Sequence, residues 1–93
     1  MAPQALALFN GEFAREAAVH FATRLKQEAG DDPTKQIERA FQLAFNRAPG
    51  KSERATAVNF LREQTATRHT DTAAALADFC HVLLNSNELI YQD

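Results

Sequence analysis

From Glu12 onward the apolar positions recur at the spacing of a helix. Ala14, Ala17, Ala18, Phe21 and Leu25 follow one another at steps of 3, 1, 3 and 4, which lines one face of a 3.6-residue repeat, and Gly30 supplies a C-terminal stop. Asp32-Pro33 then offers an N-cap followed by proline at the first helical position. Ile37, Ala40, Phe41, Ala44 and Phe45 make a broad stripe behind it, so a second helix is predicted to end near Asn46. Pro49 breaks the pattern. Gly50 opens a third helix with Glu53 three residues on, and Ala55, Val58, Leu61 and Thr65 carry a narrower stripe to about Arg68. Asp71 caps a fourth, in which Leu76, Phe79, Cys80, Leu83 and Leu84 hold the i, i+3, i+4, i+7, i+8 spacing until Asn85-Ser86-Asn87 ends it. Ahead of these, Pro3 in a first turn and Asn10-Gly11 as a stop predict a short opening helix over Gln4 to Phe9. No stretch alternates with period two, so no sheet is expected.

Connections of about 3 to 6 residues favour antiparallel neighbours. The expected fold is therefore all-α: a small antiparallel bundle of four main helices plus a short N-terminal helix, in one domain spanning residues 1–93. With 93 residues there is room for one core only, and the seven phenylalanines are expected to fill most of it. Hydrophobic residues at 45% and charged ones at 24% are globular usage, unlike that of a disordered chain. A net charge of −2 argues against a duplex nucleic-acid partner, and no apolar run approaches the ~20 residues of a membrane span. Arg47, Lys51, Arg54, Arg62 and Arg68 make one stretch basic, and Asp71, Asp78, Glu88 and Asp93 make the next acidic. If the third and fourth helices are neighbours, these charges are expected to neutralise one another across their rims.

Candidate chemistry is sparse. Cys80 is the single cysteine, which excludes an intrachain disulfide. With His81 it is a sequence neighbour pointing about 100° away on a helix, so the pair reads as a core residue beside a boundary residue. Glu12, Glu16 and His20 fall at i, i+4, i+8 on one helix face, a spacing able to hold a metal ion but expected to be a solvated face. His69 reads as a loop residue. There is no G-x-S-x-G, no glycine-rich phosphate loop, no Cys-x-x-Cys and no H-E-x-x-H, so no catalytic residue, cofactor or metal is expected.

Two polar positions stand out. Arg47, after the second helix, is placed to satisfy helix-end carbonyls and pair with a carboxylate. Glu88 sits among Leu89, Ile90 and Tyr91 just past the last helix. The two are expected to form a partly buried pair that fixes the closing segment onto the turn between the second and third helices. At the other end, Met1 to Phe9 lacks the basic start of a secretory signal and is interrupted by Gln4. Its Leu6, Leu8 and Phe9 precede any core able to bury them, which marks them as a candidate interaction surface and the chain as a piece of something longer.

Three blocks together resemble the C-terminal end of a planctomycete-type family, domain of unknown function 1553. They are Pro3-Gln4-Ala5-Leu6-Ala7-Leu8-Phe9-Asn10, Ala40-Phe41-Gln42-Leu43-Ala44-Phe45-Asn46-Arg47-Ala48-Pro49, and Leu83-Leu84-Asn85-Ser86-Asn87-Glu88-Leu89-Ile90-Tyr91. Phe45-Asn46 replaces the more usual Leu-Gly before the arginine, and Gly50 stands where a Thr or Ser cap is common. The resemblance implies a large, exported, multidomain parent, often with a cytochrome c-like segment upstream, and brings no established reaction with it. A non-catalytic structural or interaction module is the resulting expectation, its partner the remainder of its own parent chain or another protein. The alternative is a helper domain that lends residues to a catalytic or metal site completed upstream, with Glu12, Glu16, His20 and His81 the contributors.

Overall fold

The computed structural model describes residues 11–67 and 71–86. Four α-helices account for most of them: α1 Gly11–Ala29, α2 Pro33–Phe45, α3 Lys51–Thr67 and α4 Thr72–Leu84. There is no strand among the described residues, and the helices form a compact antiparallel bundle. The opening helix expected over Gln4 to Phe9 lies outside the described residues. Successive helices pack on one another, and α1 meets α4 over the most extensive interface, so the first and last helices close the ring.

Helix boundaries follow the local chemistry that predicted them. Asp32 stands in extended backbone, and its carboxylate accepts from the Thr34 N–H at 3.0 Å with Pro33 at the first helical position. Asp71 does the same for α4, accepting from the Ala74 N–H at 2.7 Å. At the end of α1, Gly30 takes φ +77, a left-handed conformation that costs other residues steric strain, and its N–H donates to the Lys26 carbonyl at 2.9 Å. The Gly30 carbonyl in turn accepts from the Gln36 side chain at 2.6 Å. That bond explains the one buried polar side chain among the described residues, Gln36 of α2.

The core is built differently from the expectation that phenylalanine fills it. Its buried members include six alanines, Ala14, Ala18, Ala22, Ala40, Ala57 and Ala75, and its most completely enclosed large side chains are Leu25, Ile37 and Cys80. Phe41, Phe45 and Phe79 are buried, Phe21 and Phe60 pack at its edge, and Phe13 is 59% exposed. The reason lies in α1. Ala14, Ala18, Ala22 and Leu25 repeat every three or four residues on one face, and these small side chains let a neighbouring backbone approach closely. One residue before Ala14, Phe13 is rotated about 100° away from that face. In α3 the buried line likewise runs through Ala57 and Leu61, leaving Ala55 exposed.

Of the charges expected to neutralise one another across the third and fourth helices, Arg68, Glu88 and Asp93 lie outside the described residues. Among the described residues the inter-helix ion pairs are Arg39–Glu28 at 2.7 Å, joining α2 to α1, and Arg54–Glu38 at 3.2 Å, joining α3 to α2. What joins α3 to α4 is apolar, including Phe60 against Phe79 with ring centroids 6.4 Å apart. Arg54 of α3 is drawn to Glu38 of α2, because exposed charges only attract usefully at short range.

Two outcomes test this packing. Leu25→Ala is expected to destabilise the domain by about 2–5 kcal/mol in denaturant unfolding, whereas Phe13→Ala should stay within about 0.5 kcal/mol despite removing a larger side chain. Equal losses would contradict an alanine- and leucine-based core.

Candidate functional site

The most organised polar feature is the reversal between α2 and α3. Asn46 ends α2 in the left-handed region, φ 57 and ψ 37, with its N–H donating to the Gln42 carbonyl at 3.0 Å. Asparagine tolerates this conformation better than most residues, so it does here the work of the glycine more usual in the resembling family. The turn carries Arg47 back over the end of α2. Its guanidinium carbon lies 5.4 Å from the Phe41 ring centroid and 5.5 Å from that of Phe45, and the two rings meet edge to face at 5.4 Å. A planar cation against aromatic faces contributes about 0.5–1 kcal/mol when partly exposed.

The same guanidinium grips the start of α3. Its Nη1 donates to Glu53 Oε1 at 2.9 Å, its Nη2 to Glu53 Oε2 at 3.0 Å, and its Nη1 also to the Ala48 carbonyl at 3.0 Å. Glu53 Oε1 accepts from the Gly50 N–H at 2.7 Å, which is the reach-back half of a capping box. Glycine has no side chain with which to return the bond. Pro49 is buried within the turn. Arg47, first, and the Gly50 N–H, second, hold the Glu53 carboxyl down to about 2, well below its ordinary 4.5. The two side chains remain 38% and 42% exposed, so solvent screening limits the pair to about 1 kcal/mol.

A second clasp sits toward the other end of α1 and α2. Glu28 accepts from Arg24 at 2.6 Å on its own helix and from Arg39 at 2.7 Å on α2. These bonds, Arg24 first and Arg39 second, hold its carboxyl below the usual carboxylate range. Arg54 reaches Glu38 through Nη2, while its Nε is buried without a hydrogen-bond partner.

The remaining candidates do not converge. Glu12, Glu16 and His20 lie on the exposed face of α1. Cys80 is enclosed in the core, where desolvation pushes its thiol up to about 12 and leaves no nucleophilic thiolate at neutral pH. Beside it, His81 is half-buried, with Nε2 enclosed and unpartnered. Among the described residues no group of three or more His, Cys, Asp or Glu is arranged to hold a metal ion. His69, Glu88, Leu6, Leu8 and Phe9 lie outside the described residues, so the expected Arg47–Glu88 pair falls partly outside them. Sequence reasoning picked out Arg47 and, separately, Glu53 as a capping residue. It missed that the six-residue spacing around Pro49-Gly50 brings the two together.

Two apolar grooves open on the surface. One, of about 520 Å³, lies where α1 ends and α4 begins, with Leu61, Leu76 and Val58 on its walls and Lys26, Arg62 and Thr65 among its polar lining. The other, of about 290 Å³, lies at the opposite end, walled by Phe41, Ala57, Phe60, Phe79 and Val82 and flanked by Glu53. Among the described residues neither lining contains a histidine or cysteine, or more than one carboxylate.

A family model described as protein of unknown function (DUF1553) matches residues 1–61. The match takes in the first two of the three sequence blocks above, together with Arg47 and Glu53, and stops before α4. No curated protein and no solved structure matches the chain.

The clasp predicts a pH dependence. Because the folded Glu53 value lies below the ordinary one, its stabilisation is complete above about pH 5 and is lost as pH falls from 4.5 toward 2. Glu53→Gln should lower stability by about 1 kcal/mol at pH 7, and the difference from the unsubstituted chain should close by pH 2. A gap unchanged across that range in thermal melts would contradict the assignment. At the neighbouring cap, Asn46→Ala should cost about 1 kcal/mol, and Asn46→Gly should be neutral or stabilising in the same melts.

Proposed function

Because the chain belongs to the family of proteins of unknown function (DUF1553), we propose that it serves as a non-catalytic helical module of a larger exported bacterial protein, packing on the remainder of its own parent chain. The fold supplies the frame: a small all-α domain whose best-ordered polar groups tie helix ends together. The observation that carries the reading is the flank of α1. Phe13, 59% exposed, is followed at i+4 and i+8 by Ala17 and Phe21, both only partly covered. This gives an apolar line about 12 Å long beside the buried alanine face. Leu6, Leu8 and Phe9 precede it in the sequence and lie outside the described residues; exposed apolar surface such as the Phe13 line is what contact sites use. None of the described helices is long and apolar enough to cross a membrane. Export of the parent rests on the family resemblance alone.

The test is complementation in pieces. A parent chain lacking this segment should lose solubility, and the segment supplied separately should bind it. Phe13→Asp should weaken that binding at least about tenfold, or about 1.4 kcal/mol, with helix content by circular dichroism unchanged. A truncated parent that is fully soluble and does not bind the segment would overturn the proposal.

A further inference from the structure

The larger groove is walled by Val58 and Leu61 of α3 and by Ala73 and Leu76 of α4, at the end of the bundle where α1 finishes and α2 begins. Its volume, about 520 Å³, lies within the roughly 300–1,000 Å³ of small-molecule sites. The charged residues of its lining, Lys26, Asp31 and Arg62, are exposed, and Lys26 Nζ already leans toward Asp31 at 3.9 Å. Gln36 is different. It lines the same groove from α2 yet is only 8% exposed. Its Nε2 is committed to the Gly30 carbonyl at 2.6 Å, which fixes the orientation of the amide and leaves the carbonyl oxygen, Oε1, as its acceptor. Among the described residues Oε1 accepts no hydrogen bond. Nor is it sealed in protein, because the enclosed side-chain atoms without a partner among the described residues are Arg54 Nε and His81 Nε2. An oriented acceptor therefore opens into an apolar groove.

We infer that this groove binds an uncharged apolar molecule carrying one hydroxyl donor, of the alkylphenol class, with the hydroxyl on Gln36 Oε1 and the hydrocarbon between α3 and α4. Charge selects a neutral ligand. The buried polar group of the lining is an amide, so an ion drawn in from water would lose hydration with no buried counter-charge to replace it. The acceptor selects the hydroxyl. A donor on Oε1 replaces the hydrogen bond that solvent gives an open acceptor, whereas an ether or hydrocarbon of similar shape displaces that solvent and leaves the oxygen unpaired. Size fits as well: an apolar cavity of ~150 Å³ holds benzene, and about 520 Å³ takes a ring with a short alkyl chain. The groove shares no lining residue with the Phe13, Ala17 and Phe21 line of α1, so this inference stands or falls apart from the packing proposed there.

The probe is 4-butylphenol, titrated into the isotope-labelled full 93-residue chain and followed by nuclear magnetic resonance. Saturable shifts are expected in the Gln36 side-chain amide and in the Val58 and Leu76 methyl signals, with Phe79 and Val82 of the smaller groove unmoved. Binding should be at least about tenfold tighter than that of 4-butylanisole, which lacks the donor, and of 4-butylbenzoate, which carries a charge. Ala73→Trp, at an exposed position on the groove wall, should weaken binding by at least about tenfold with helix content unchanged. Gln36→Leu should bring the phenol down to the affinity of the anisole. Because that change also orphans the Gly30 carbonyl, Ala73→Trp and the ligand series decide the matter should it fail to fold. Absence of saturable binding overturns the inference. So does equal affinity for the phenol and the anisole, tighter binding of the benzoate, or binding that Ala73→Trp leaves unaltered.

Discussion

One guanidinium holds the middle of this molecule in register. Between Phe45 and Lys51 the backbone has to stop one helix, reverse and start another within five residues, leaving helix-end carbonyls and N–H groups to be satisfied in a very short span. Arg47 reaches both sides of that problem. Its flat face lies on the Phe41 and Phe45 rings that finish α2, and its edge forks the Glu53 carboxylate that receives the first N–H before α3. No single contact is strong, since both partners are partly exposed. Their combination matters because it sets the angle at which α3 leaves α2, and with it the position of Ala57 and Leu61 against the core.

The rest of the bundle follows from small side chains set where helices approach. Alanine on one face of α1 and at Ala75 of α4 permits close contact, and Leu25, Ile37 and Cys80 fill the space that remains. Such a core leaves little room for polar chemistry. Its charged groups work on helix surfaces and at helix ends: Glu28 between Arg24 and Arg39, Arg54 on Glu38, and Asp32 and Asp71 at two N-termini. The thiol of Cys80 is kept from reaction by the same enclosure that makes it useful for packing.

Helix limits were legible because they are written locally. Asp32-Pro33, Gly30 and Asp71 each act on backbone groups within four residues, so reading them required no knowledge of the tertiary fold. The interior was less legible, because periodicity identifies a buried face without revealing how close its partner lies. Phe13 and Ala14 both suit a helix, and only the proximity of another helix decides that alanine goes inside. Ion pairing was hidden for a similar reason. Charge totals along the chain do not say which side chains lie within a few ångströms, and for α3 among the described residues the inter-helix pair is Arg54 with Glu38. Arg47 and Glu53 were each visible as helix-end residues, and only the turn's geometry made them partners.

Closure of the bundle through α1 and α4 joins residues roughly forty to seventy positions apart in the chain. As the polypeptide emerges from a ribosome, α1, α2 and α3 are therefore all synthesised before α4 can pack against α1. Until then that face of α1 lacks its partner within the bundle, and cooperative folding of these four helices waits for α4 to clear the exit tunnel.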